Sequence, residues 1–160
     1  MDPVTIPAKA LALQQQLRDL GVERDIVHFP GGVHTAKAAA DALGIEVGQI
    51  ANSLIFWMAD APLLVMTSGR HRVDTDALAS ALGEGPIGRA TPEQVRAATS
   101  QVIGGVAPIG HPAPVRTIVD AALADYDRIS AAAGTPDTVF LLTFDELVHI
   151  TGGTVMRVGD

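Results

Sequence analysis

Between positions 104 and 111 the chain reads Gly104-Gly105-Val106-Ala107-Pro108-Ile109-Gly110-His111, three glycines and a proline within eight residues. Glycine has no Cβ, so Gly104, Gly105 and Gly110 can take positive φ and let a ligand approach main-chain N–H groups, while Pro108 fixes one φ and stiffens the bend. Two N–H groups aimed at one point can hold an ester carbonyl or the oxyanion formed from it. The same composition also builds plain turns. Neither G-x-x-x-x-G-K-[ST] nor G-x-G-x-x-G occurs in the loop, which disfavours a nucleotide fold, and no G-x-S-x-G elbow supplies a serine nucleophile. Of the five histidines, His34 and His111 flank the segments of interest and can serve near neutral pH as base, acid or donor. No pair has HExxH spacing and no carboxylate cluster joins them, so neither a metal nor a cofactor is expected.

Three further segments accompany the loop: His34-Thr35-Ala36-Lys37-Ala38-Ala39-Ala40-Asp41-Ala42-Leu43-Gly44, Gln49-Ile50-Ala51-Asn52-Ser53-Leu54-Ile55-Phe56 and Ser68-Gly69-Arg70-His71-Arg72-Val73-Asp74. In this order and spacing, from about residue 25 onward, the chain resembles the YbaK/EbsC family, which includes free-standing aminoacyl-tRNA deacylases and the editing domain of bacterial prolyl-tRNA synthetases. The resemblance implies that main chain around Gly104 and Gly105, closed by Pro108, contacts the aminoacyl group or terminal ribose, and that a hydroxyl of the tRNA assists the reaction. It also puts Ser68, Gly69 and Arg72 beside the pocket as substrate contacts; His34, at the start of the alanine-rich helix, and Gly110 and His111, at the end of the glycine loop, are candidate substrate contacts by their place in the chain. Many members carry a lysine, treated as essential, in a KTL or KSL triplet where this chain has Asn52-Ser53-Leu54. Asparagine donates hydrogen bonds but cannot supply that charge. Taken as residues alone, Asn52 can simply satisfy main chain at a strand start, and Arg72 can pair with Asp74 or Asp76.

The elements that must position these groups are legible from periodicity and caps. Leu13, Leu17 and Leu20 predict an amphipathic helix over 8–20. Ile26 to Phe29 reads as a strand, and Thr35 caps an alanine-rich helix that Gly44 ends. Ser53 to Met58 and Leu63 to Thr67 form a buried hairpin, with Trp57 in its apolar run. Asp74 caps a third helix with Val73 and Leu78 as a staple; Thr91, Pro92 and Gln94 start a fourth, and Thr143 with Glu146 a fifth. Val115 to Val119, Ile129 to Ala133, Val139 to Leu142 and Thr154 to Val158 complete the strands. This alternation points to an α+β fold of one domain over 1–160, with the N-terminal helix within 1–24 packed on it. The resembled family's strongly curved mixed β-sheet with helices packed outside agrees.

Composition sets the remaining bounds. A chain of 160 residues, 48% of them apolar, can bury a real core. It has no cysteine, hence no disulfide or thiol chemistry, and no apolar run reaches a membrane span, so a cytoplasmic protein without membrane partners is expected. A formal net charge of −7 argues against a protein that coats nucleic acid, and DNA is not an expected partner. Holding only the 3′ end of a mischarged tRNA needs no more than a local patch, for which Arg70, His71 and Arg72 are candidates with Lys37, Arg89 and Arg96. The expected activity is trans-editing, hydrolysis of the ester of a mischarged tRNA. Two alternatives stay open: a non-catalytic module binding aminoacyl-tRNA, a synthetase or a small ligand, and a hydrolase of small esters unrelated to tRNA.

Overall fold

The hairpin carrying position 52 runs from β2 (Ala51–Met58) into β3 (Ala61–Ser68), paired from Ala51 with Ser68 to Met58 with Ala61. Only Ala59 and Asp60 connect the strands, and both have positive φ, 51° and 62°, as a tight hairpin turn of the right twist demands. These details come from a computed structural model that describes residues 6–33 and 35–159. β5 (Arg116–Asp120) joins β3 in parallel, and β8 (Thr154–Met156) joins β5 in parallel. On the opposite side β4 (Ile87–Arg89) pairs with Phe56 to Met58 of β2 alone, giving the order β4-β2-β3-β5-β8.

A second, antiparallel sheet is ordered β1-β7-β6, from β1 (Val27–His28), β6 (Ile129–Ala132) and β7 (Thr138–Leu142). The two meet at a parallel bridge between Ile50 and Ser130, so the strands form a mixed arrangement bent at the entrance of β2. The α+β class with helices outside mixed sheets is as expected. The short β4, with Gly88 at its centre, carries no period that a sequence reading could register.

Helix ends follow their caps. The side chains of Thr35, Asp74, Thr91 and Thr143 each accept a main-chain N–H at the start of α2 (Ala36–Leu43), α3 (Thr75–Leu82), α4 (Pro92–Thr99) and α5 (Phe144–Thr151). Gln94 and Glu146 return the bond in the last two, satisfying donors that a helix start leaves open. α1 (Ala8–Asp19) buries Ala10, Leu13 and Leu17. They enter the main core with Ile55, Leu64 and Met66 of the hairpin, Phe140 of β7, Leu147 of α5, and Val106 and Ala107. The other face of the hairpin packs Phe56, Leu63 and Val65 against Leu78 of α3. Ala39 and Ala40 of α2 close on Ile50, where small side chains permit close approach. Trp57, expected in the core, is instead partly exposed and lies outside these clusters.

Candidate functional site

β2 is a strand with an interrupted edge. Ile50 C=O accepts the Gly69 N–H at 2.8 Å, and in an antiparallel pair such bonds recur at alternate residues, so Asn52 and Leu54 turn their main chain towards β3 and Ser53 turns its own outward. Among the described residues that outer edge carries the bridge at Ile50, the Ala90 N–H bond to Ile55 O and the β4 pairing from Phe56. Between them stands the loop after α4. Asn52, Ser53, Leu54, Ile103 and Val106 line two cavities at once. The larger, about 680 Å³, continues past Thr67, His71, Arg72, Thr75 and Arg89. The smaller, about 460 Å³, is bounded by Gly104, Ala36, Ala39, Ser130, Pro136 and Thr138. Asn52 thus faces the glycine loop across open space.

The loop is held from within. Gly105 N–H bonds to Val102 C=O at 2.9 Å, closing a turn whose third residue is Gly104 at φ 89°, a position suited to glycine. Gly105 rests on the chain at Thr135–Pro136, so close that a Cβ would stand 2.6 Å from the Thr135 carbonyl carbon. Ala107 N–H bonds to Gln101 Oε1 at 2.8 Å, and His111 Nε2 lies 2.8 Å from Ala107 O. The N–H groups of Gly104 and Val106, like that of Ile103, have no bond among the described residues, so they, unlike that of Gly105, are donors the loop can offer.

The remaining expected contacts divide. His34 lies outside the described residues, although its neighbours Thr35 and Ala36 line the smaller cavity. Arg72 lines the larger one beside Arg89 and makes no ion pair with Asp74 or Asp76. Ser68 is fully buried, its Oγ donating to Gly48 O at 2.7 Å, and Gly69 is pressed against Val47 O; both hold the turn before Arg72 and line neither cavity. Pro108 is buried, Gly110 at φ 87° faces Gln16 of α1, and His111 braces Ala107, so these three also stand behind the site. Burial holds the His111 ring below the ordinary imidazole pKa, opposed by its bond to Ala107 O.

Of the candidate basic patch, Arg70 turns away to Asp125 at 2.8 Å and to Tyr126, with its guanidinium 5.6 Å from the ring centre. His71 is almost wholly enclosed: Nδ1 lies 3.0 Å from Gly159 O and Nε2 2.6 Å from Asp120 Oδ2, the latter out of line for a hydrogen bond. Asp120 itself accepts the Ser68 and Ala122 N–H groups. Sequence reasoning passed over Thr67, Ser130 and Thr138, three hydroxyls on the cavity walls. Only Thr67 had a readable signal, since hairpin register sets it opposite Asn52. Among the described residues no group of three or more His, Asp or Glu side chains could hold a metal.

A family model described as the aminoacyl-tRNA editing domain matches residues 31–150. The solved structure of a proposed trans-editing enzyme for prolyl tRNA synthetase superposes with a TM-score of 0.91 at 38% identity, covering 98% of this chain and 99% of that one. The proline–tRNA ligase of Thermosipho melanesiensis is 33% identical over 88 residues, which are 55% of this chain and 15% of the ligase; the chain therefore spans a small part of that relative's length. The uncharacterized protein YwhH of Bacillus subtilis is 27% identical over 126 residues, 78% of this chain and 80% of its own.

Proposed function

This chain belongs to the aminoacyl-tRNA editing domain family, and on that premise we propose that residues 1–160 act as one trans-editing unit that hydrolyses the ester joining a wrong amino acid to the 3′ end of a tRNA. The observation that carries the reading is the position of Asn52, shared by both cavities and set across from Gly104. Water adds to the ester carbonyl carbon; the resulting oxyanion is met by the N–H groups of Gly104 and Val106, and the C–O bond to the ribose breaks as its oxygen regains a proton. No protein base is assigned: a hydroxyl of the terminal ribose takes that part. Asn52 orients the ester by hydrogen bonding where relatives use a lysine.

The larger cavity, with Arg72 and Arg89, suits the phosphodiester end of the nucleic acid, and the smaller, mostly apolar one the amino-acid side chain. A local cationic rim reconciles tRNA binding with a net charge of −7. The ligase relative and the similar structure make tRNA for proline the first candidate, and a prolyl-tRNA synthetase a candidate partner. No described helix is long and apolar enough to cross a membrane.

The test is release of amino acid from tRNA charged with alanine, serine, threonine or cysteine, beside the methyl esters of the same amino acids. Turnover of one mischarged tRNA, falling with added salt, supports the reading; turnover of the methyl esters alone overturns it. A second reading rests on the neutral side chain at position 52: a module that binds aminoacyl-tRNA without turnover. It predicts retained affinity in the same assay with no release.

A further inference from the structure

Gln101 lines neither large cavity, yet it is almost fully buried at the foot of the glycine loop. Its own N–H bonds to Thr99 Oγ1 at 3.0 Å, and that hydroxyl lies 2.7 Å from Val95 O, so residue 101 is tied to the last turn of α4. From there its amide oxygen reaches across the loop to the Ala107 N–H. A buried amide is costly unless bonded, and a core position asking only for volume is filled more cheaply by an apolar side chain.

We propose that Gln101 is the positioning residue of the glycine loop, setting the direction of the donors that face Asn52. In a trans peptide the N–H and the preceding C=O point in opposite directions, so holding Ala107 N–H towards Gln101 turns Val106 C=O the other way and fixes that peptide plane. Ala107 O is held in turn by His111, and Gly105 N–H by Val102 O. These bonds hold the Gly104–Gly105 and Val106–Ala107 peptide planes, which border the two peptides that carry the free N–H groups of Gly104 and Val106. The support behind Gln101 is α1, of which the family match includes nothing. Lys9 Nζ donates to Ser100 O at 2.7 Å, and Lys9, Leu13 and Gln16 enclose a cleft of about 130 Å³ with Gln101 and Gly110.

The kinetic part of this inference rests on the editing reading; its structural part does not. The experiment compares Gln101→Leu, which removes the acceptor, with Gln101→Glu, which keeps one at the same reach. Amide hydrogen exchange at Ala107 is followed by NMR against the Ile118 amide, which reports global opening. Expected for Gln101→Leu is exchange at Ala107 about tenfold faster with Ile118 little changed. On a mischarged tRNA, kcat falls by between about ten- and a hundredfold at unchanged KM, and Gln101→Glu restores both. Unchanged Ala107 exchange in Gln101→Leu overturns the proposal, as does an equal loss of kcat in the two variants. Absence of turnover by the unaltered protein overturns the editing reading and leaves the exchange comparison to decide this one.

Discussion

Gly105 and Thr135 are in main-chain contact across thirty residues of sequence: a Cβ on Gly105 would lie 2.6 Å from the Thr135 carbonyl carbon and 2.7 Å from Pro136 N. Gly104, one residue earlier, has open space on its Cβ side and a φ of 89°. The two glycines therefore fail differently when replaced. Gly105→Ala forces main chain apart and is expected to cost about 1–3 kcal/mol, lowering the unfolding midpoint by roughly 5 °C. Gly104→Ala pays only for its positive φ, about 1 kcal/mol, and its larger effect is expected on turnover, since its N–H is one of the donors proposed for the oxyanion. Thermal unfolding of both variants beside their deacylation rates checks this ordering.

The neutral ring of His111 gives stability a pH dependence. Burial lowers its pKa in the folded protein, so below the ordinary imidazole range the unfolded chain binds a proton that the folded one resists. Stability is full above that range and declines as pH falls through it. At more acid pH a further loss follows as Asp137 is protonated, because the Thr135 hydroxyl bond, aided by His28, holds its carboxyl below the usual value in the fold. Unfolding midpoints measured from pH 8 to pH 5 should fall less steeply for His111→Asn than for the unaltered protein.

Caps, the hairpin and the glycine loop were legible because each is specified within a few residues: Thr91 with Gln94, Thr143 with Glu146, and Gly44 in the left-handed conformation at the end of α2. The site was legible only in outline. Asn52 and Gly104 line one cavity, and the free N–H groups include those of Gly104 and Val106 because Gly105 N–H closes a turn. His71, which reads as a surface charge between two arginines, is buried against Asp120, a strand end more than forty residues away. Ser130 and Thr138 reach the cavity through the Ile50 bridge and the bend between sheets, which no local pattern encodes.

Arg72 and Arg89 line the larger cavity, whereas Arg116 is paired with Glu84 at 2.9 Å. Alanine at either of the first two should weaken tRNA binding and reduce the slope of log affinity against log salt by roughly 0.7–0.9. Arg116→Ala should leave the slope unchanged. Fluorescence anisotropy with labelled tRNA across a salt series reads both.

The proposed editing reaction has Asn52 and the loop facing it hydrolyse an aminoacyl ester with a neutral side chain at position 52. The measurement that meets it most directly is single-turnover release of amino acid from a panel of mischarged tRNAs by the unaltered protein, Asn52→Ala and Gly104→Ala, each against buffer. Release from one mischarged tRNA is expected, slowed on the order of a hundredfold or more by Asn52→Ala while the fold is retained. No release across the panel by folded protein, or equal rates with and without the Asn52 amide, would contradict it.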